Sequence, residues 1–272
     1  MEKVTFDDLK KLYLPPKGSH KGENGKLTII GGSHLFHGAS LWALKVASRI
    51  CDMVFYASVP ENNELTKKLS SELYDFIAVP RSEIENYIDE SDAILIGPGL
   101  TREQETRAIT KQLLQKFPKK KWVIDAGSLQ MMEPSWLNKN CLITPHRGEF
   151  EKLFGNELDS RFRGNDNEMV QKMAKKYGCT ILLKGETDII CSPTECRVVY
   201  GGNSGMTKGG TGDVLAGLVA ALACKNDLFL AACAGSFINK KAGEELFKKV
   251  GYYFNASDLC DEIPHCLFAG IV

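Results

Sequence analysis

From residue 26 onward the chain repeats one unit: a short, continuously apolar run that stops at a glycine, a proline or a polar residue. KLTIIGG (26–32), MVFYASV (53–59), DAILIGPGL (92–100), KWVIDAG (121–127), CLITP (141–145) and CTILLKG (179–185) all follow it. Stretches of helical period lie between, ASLWALKVASRIC after the first run and TREQETRAITKQLLQKF after the third. A strand that is apolar at every position has no face to give to water. It belongs in a parallel sheet covered on both sides, with the intervening helices as the cover. The expected fold is therefore α/β, a mainly parallel central sheet with helices on both faces. Ligands of such sheets bind outside the carboxyl ends of the strands. The tips GGS, GPG, DAG, TPH and LKG gather there. No internal repeat or linker divides the chain, so one domain over residues 1–272 is expected, with the polar segment 156–168 as an exposed loop or insertion.

Length and charge narrow the function. A chain of 272 residues can bury one large core. Thirty-four basic residues balance thirty-four acidic ones, so no net field draws the protein to nucleic acid or an anionic membrane. The start, MEKVTFDDLKKLYLPP, is too charged for a secretory signal, and the run VLAGLVAALAC is far shorter than a bilayer span. A soluble cytoplasmic protein is expected. The nine cysteines include no C-x-x-C pair, and Cys191 and Cys196 lack a second pair to complete a zinc set. Free thiols of a reducing compartment, and no metal site, are the expectation.

The most informative stretch for chemistry is GGNSGMTKGGTGDVLAGLVAAL, residues 201–222. Four glycines between 205 and 212 lead into an apolar helix, whose N-terminus offers unpaired N–H groups and partial positive charge suited to phosphate. Asp-Val replaces the Lys-Ser/Thr of a Walker A loop, and Leu215 occupies the third glycine of G-x-G-x-x-G. A phosphate loop of another kind remains. Asp213 could simply cap its helix, but a cap needs no glycine approach. A carboxylate beside a phosphate site is placed to take a proton from a hydroxyl being phosphorylated, and the positive helix end would keep it ionised.

NSGMTKGGTGDVLAG closely resembles the signature of the ADP- or ATP-dependent NAD(P)H-hydrate dehydratases of the ribokinase-like superfamily. KGENGKLTIIGGSHLFHGASLWA, ILIGPGL, VIDAGSL, LITPHRGEFEKLFG and ILLKGETDII resemble its other motifs, in the same order, over residues 21–217. The resemblance implies a reaction that restores NADH or NADPH from a form hydrated on the nicotinamide ring. It puts Ala39, Gly99, His146, Arg147, Gly148, Glu149 and Asp213 at the hydrated substrate. The adenine nucleotide would be held by Lys184, Gly185, Glu186, Thr187 and Asp188 together with Asn203, Ser204, Gly205, Met206, Thr207, Lys208, Gly209, Gly210, Thr211 and Gly212. Asp213 would be the catalytic base. ADP or ATP would serve as co-substrate with Mg²⁺, in a homotetramer acting with a separate NAD(P)H-hydrate epimerase. Only about two dozen residues precede the first strand, so this chain is expected to lack the epimerase activity itself. HRGE in place of HPGE, Ser204 in place of proline, and Lys208 in place of a small residue depart from the pattern.

Bland readings stand beside these. His34 and His37 read as polar loop residues, with no metal spacing. His146 could be structural, Lys184 could snorkel to the surface, and Asp125 is either structural or an aid to magnesium or substrate. Two other functions are compatible with the loop and its acid: a vitamin-precursor kinase of the same superfamily, and a non-catalytic nucleotide-binding module.

Overall fold

The structure, a computed structural model, describes residues 1–68, 75–155 and 166–271. The N-terminal part runs β1 (Glu2–Lys3), α1 (Phe6–Leu9), β2 (Lys26–Ile30), α2 (Gly38–Ala47), β3 (Met53–Ser58), α3 (Pro60–Lys68) and β4 (Ile77–Pro80). It continues through α4 (Ile84–Glu90), β5 (Ala93–Ile96), α5 (Gln104–Lys116), β6 (Lys121–Ile124), α6 (Ala126–Met131), β7 (Cys141–Ile143) and α7 (Arg147–Phe154). The last part comprises α8 (Asp166–Tyr177), β8 (Thr180–Leu183), β9 (Asp188–Cys191), β10 (Cys196–Val199), α9 (Thr211–Ala223), α10 (Leu228–Val250) and α11 (Ala256–Ile271). The ten strands of the described residues join one sheet in the order β1-β10-β9-β8-β7-β6-β5-β2-β3-β4. Only β9 runs against its neighbours, β8 and β10.

The six apolar runs form β2, β3, β5, β6, β7 and β8, paired in parallel. Every residue of β5 and β8 is buried, as a sheet covered on both faces requires. Two apolar clusters form those covers. One packs α2, α9 and α10 against Leu27, Ile29, Leu95 and Val123; the other collects Ile30, Ile94, Ile96, Trp122 and Ile143 with Phe150 and Phe154. In a strand, neighbouring residues face opposite sides, and the split of Ile29 from Ile30 follows from that period of two.

The apolar helix α9 lies between α2 and α10. The three approach closely at two glycines: a Cβ on Gly217 would come within 2.6 Å of Ala43 in α2, and one on Gly235 in α10 within 2.5 Å of Val219. A helix in this position has no solvent face, which explains why eleven of its thirteen residues are buried.

Two expectations are corrected. Cys191 and Cys196 are not free thiols: they form a disulfide across the β9–β10 hairpin, where the ladder places them opposite one another. The other seven cysteines are free and buried. Of the polar segment 156–168, residues 156–165 lie outside the described residues, while Asp166 to Glu168 open α8 rather than continuing a loop.

Candidate active site

The strand tips converge along one edge of the sheet. Gly99, after β5, has φ +75°, and a Cβ there would lie 3.1 Å from Gly32 and 2.7 Å from the Phe36 carbonyl oxygen. Glycine is therefore required for the β2 and β5 turns to touch, which brings Gly99 beside the loop that leads to Ala39 in the first turn of α2. His37 precedes α2 and bonds Asn62, whereas His34 is exposed. Among the described residues no group of three or more His, Cys, Asp or Glu is arranged to hold a metal.

Next along the edge is a charged cluster. Lys184, after β8, donates to Asp125 Oδ1 at 3.0 Å and stands 4.0 Å from Glu149 Oε2. Burial works against the Lys184 charge, but Asp125 and Glu149 outweigh it and hold its pKa above the usual lysine range. Gln130 Nε2 donates to Glu149 Oε1 at 2.9 Å. Ala126, directly after Asp125, carries φ +46°, the one positive φ among the described non-glycine residues. Such strain persists where surrounding contacts enforce it, and it collects at functional sites. Sequence alone leaves Asp125 undecided; the geometry makes it the partner that keeps Lys184 in place.

Asp213 belongs to the same cluster. The N-cap of α9 is Gly210, at φ +96°, and Asp213 sits three residues in. Asp213 is therefore not the N-cap residue itself, though it lies in the helix's first turn, where an acid complements the dipole. Burial, then the negative charges of Asp125 and Glu149 against the opposing pull of Lys184, pushes its carboxyl up to about 7. This corrects the expectation that the helix end keeps it ionised: desolvation and like charge exceed the helix dipole, and the group is poised near neutrality.

The HRGE stretch divides. His146 caps α7, its Nδ1 accepting the Glu149 N–H at 3.2 Å while Glu149 Oε2 accepts the His146 N–H at 2.9 Å. Gly148 packs on the His146 ring. Arg147 turns outward to Glu151 and Asp166, at 3.0 and 3.3 Å.

Beyond the cluster opens a cavity of about 660 Å³. Lys184 to Asp188, Asn203, Ser204, Met206, Thr207, Thr211 and Gly212 line it, with Tyr200, Asn239 and Lys240. Gly205, Lys208, Gly209 and Gly210 do not. Gly205 backs onto Phe254, and Lys208 ties the loop away from the cavity by donating to the Tyr252 and Phe254 carbonyls. Asn203 spends its amide on Gly205 N–H and Gly243 O.

Six lining residues lie outside the sequence candidates, Tyr200, Gly201, Gly202, Leu215, Asn239 and Lys240, and two of these are buried polar side chains of α10. Lys240 Nζ donates to Gly185 O and Glu186 O at 2.9 Å each and to Gly201 O at 3.3 Å, joining two walls of the cavity. Asn239 is 5% exposed, and its Oδ1 is buried without a hydrogen-bond partner. The available signal was a polar residue at 239 on the otherwise apolar face of Gly235, Ile238 and Ala242.

A family profile described as NAD(P)H-hydrate dehydratase matches residues 27–265. The bifunctional NAD(P)H-hydrate repair enzyme Nnr of Methanocaldococcus jannaschii is 36% identical over 97% of this chain and 52% of its own length, so the chain spans about half of that relative. The ADP-dependent (S)-NAD(P)H-hydrate dehydratase of Cenarchaeum symbiosum is 34% identical over 96% of this chain and 95% of its own. Among solved structures, the ADP/ATP-dependent NAD(P)H-hydrate dehydratase of Bacillus subtilis, co-crystallised with ATP/Mg²⁺, superposes with a TM-score of 0.82 at 23% identity, covering 99% of this chain and 98% of its own. The fold is ribokinase-like. With the profile spanning most of the chain and relatives above 30% identity along it, this chain belongs to the NAD(P)H-hydrate dehydratase family.

Proposed function

We infer that the chain is an ADP- or ATP-dependent (S)-NAD(P)H-hydrate dehydratase, which returns hydrated NAD(P)H to NAD(P)H. The observation that carries this reading is Asp213: a buried carboxyl in the first turn of a glycine-loop helix, in the charge cluster of Asp125, Lys184 and Glu149, with Lys184 and the adjacent Gly212 lining a cavity sized for a nucleotide.

Hydroxide is a poor leaving group and phosphate a good one, which explains the need for a nucleotide. Ionised Asp213 accepts the proton of the ring hydroxyl as that oxygen attacks the terminal phosphorus of ADP or ATP. The P–O bond to the departing AMP or ADP breaks. Lys184 and the α9 N–H groups face the charge that builds on the phosphoryl oxygens. The lone pair of the ring nitrogen then expels phosphate, and loss of a neighbouring ring proton restores the double bond. Magnesium, which binds through one or two carboxylates plus substrate phosphates, suits the acids Asp125 and Glu149 and would neutralise phosphate charge. Asn239 Oδ1, lacking a partner, is the natural acceptor for the adenine amino group.

The same reading makes the enzyme a cytoplasmic homotetramer fed by a separate epimerase. Exposed Tyr252, Tyr253 and Phe268 support an assembly surface. No helix among the described residues is long and apolar enough to cross a membrane.

Incubation with magnesium, nucleotide and hydrated NADH should release phosphate and reduced nicotinamide in equal amounts. Stable phosphorylation of a pyrimidine, thiazole or pyridoxal alcohol, with no NADH recovered, would instead make the chain a kinase.

A further inference from the structure

A second cavity, of about 510 Å³, lies outside the carboxyl ends of β3 and β4, on the same sheet edge as the site just described. Ser58, Pro60, Asn63 and Glu64 line it together with Pro80, Arg81, Ser82 and Glu105, so Arg81 shares the cavity with two carboxylates. Two of its lining residues carry a buried polar atom with no hydrogen-bond partner, Nε of Arg81 and Oδ1 of Asn63. One is a cationic donor and the other a neutral acceptor. An unmatched buried polar atom costs about 1–3 kcal/mol, and more when it is charged. A pair of opposite kind in one cavity therefore asks for a ligand with both an anionic acceptor and a donor.

The rest of Arg81 supports a ligand rather than a structural ion pair. Its NH1 meets Glu105 at 3.6 Å, and Glu105 is 78% exposed on its side chain. Its NH2 donates to Gly32 O at 3.1 Å, the turn against which Gly99 packs. Asn62, one residue before Asn63, holds the next residue of that turn through Ser33 O. The cavity thus borders the turn expected to meet the hydrated ring. Between β6, directly followed by Asp125, and β4 lie β5, β2 and β3. Four strand spacings of about 4.8 Å put the two places roughly 19 Å apart along the edge, a reach that suits a dinucleotide better than a mononucleotide.

We propose that this second cavity binds a ribose-phosphate group, the phosphate on Arg81 and a hydroxyl or amino donor on Asn63, and that its source is the distal nucleotide of the dinucleotide substrate. This rests on the dehydratase reading. A free nucleotide of the same chemistry is the other source.

The test compares the hydrates of NADH and of reduced nicotinamide mononucleotide, which lacks the distal half. Arg81→Gln should raise KM for the NADH hydrate about 10- to 100-fold more than it raises KM for the mononucleotide hydrate, the part common to both substrates reporting the lost NH2 bond to Gly32 O. Glu105→Gln removes only an exposed competitor for Arg81 and should lower KM for the NADH hydrate severalfold. Equal effects on both substrates in Arg81→Gln, or no gain in Glu105→Gln, would overturn the assignment. AMP titrated by calorimetry onto protein whose first cavity is filled with a non-hydrolysable ATP analogue separates the sources. A single further AMP site lost in Arg81→Gln, with both kinetic effects absent, would assign the cavity to a free nucleotide and overturn the substrate assignment. Absence of turnover with either hydrate would contradict the dehydratase reading itself, while the calorimetric arm would still report on the cavity.

Discussion

At the scale of single residues, the raised pKa of Asp213, the proposed base, has consequences for both rate and stability. A base must be ionised to work, so kcat/KM should climb tenfold per pH unit below about 7 and level off above it. Asp213→Asn should lower kcat by roughly a hundred- to ten-thousand-fold. A flat pH profile, or a variant at near wild-type rate, would remove the base from its role. Stability should move the other way. Below pH about 4 the folded and unfolded chains both carry the proton, and burial of the acid costs nothing. Between about 4 and 7 the unfolded chain releases its proton while the folded chain keeps it, so stability falls as pH rises; above about 7 the whole cost stands. About three pKa units correspond to about 4 kcal/mol. The amide introduced by Asp213→Asn carries no such charge, so denaturant unfolding should find that variant more stable than the parent at pH 8, by up to about that amount, and the difference should shrink toward pH 4. A carboxylate retained against its own stability cost is what a catalytic role requires.

At the scale of elements, the glycine loop before α9 has two kinds of glycine, and they should respond differently to bulk. A side chain at Gly210 would need φ +96° and would drive into the Trp42 ring and to within 2.8 Å of Ala256. Gly210→Val should therefore disturb the packing of α2, α9 and α11 and lower the melting temperature, rather than acting only on nucleotide affinity as loop composition by itself would suggest. Gly209 has nothing within 4 Å of its would-be Cβ and no positive φ. Gly209→Val should fold normally, and any loss of nucleotide affinity in calorimetry then reports close approach of phosphate; unchanged affinity would put the phosphate elsewhere. This difference also shows what the sequence could and could not tell. β2, β5 and β8 were legible because each is dominated by apolar and β-branched residues and is followed by a glycine or lysine. β4 (IAVP) and β10 (CRVV) are short and half exposed, and so carry no such signal; β9 (DIIC) is buried but opens on a charged residue, Asp188. Asp213, Lys184 and Glu149 were legible as motif residues, yet their mutual electrostatics were not, because the contacts join β6, α7, β8 and α9 across nearly ninety positions. Lys240 and Asn239 stayed hidden inside a 23-residue helix whose pattern reads simply as buried.

At the scale of the whole molecule, the first cavity is where separate pieces of the chain meet: the β8–β9 turn, the loop after β10, the start of α9 and the middle of α10. Lys240 already ties three backbone carbonyls from two of these pieces together, and Asp188 is fixed by Ser236 at 2.7 Å and Lys240 at 3.4 Å. A nucleotide filling the cavity would hold together elements that must separate when the chain unfolds. It should therefore act on global stability and not only on a local loop. At one hundred times its Kd, a ligand that binds only the folded state adds about 2.7 kcal/mol. Unfolding entropy near 2.1 cal/mol/K per residue, taken over 272 residues, converts that into a rise in Tm of about 5 °C. Inosine diphosphate offers a carbonyl where adenine offers an amino group, and would face Asn239 Oδ1 with an acceptor opposite an acceptor. At equal concentration it should stabilise less than ADP. Asn239→Leu removes that discrimination, so the two nucleotides should then give the same shift. If ADP and inosine diphosphate raise Tm equally in the parent chain, Asn239 does not read the base. If neither raises it, the cavity is not the nucleotide site. Where ADP alone is effective and the difference vanishes in Asn239→Leu, a single unpaired oxygen in α10 accounts for the choice of adenine.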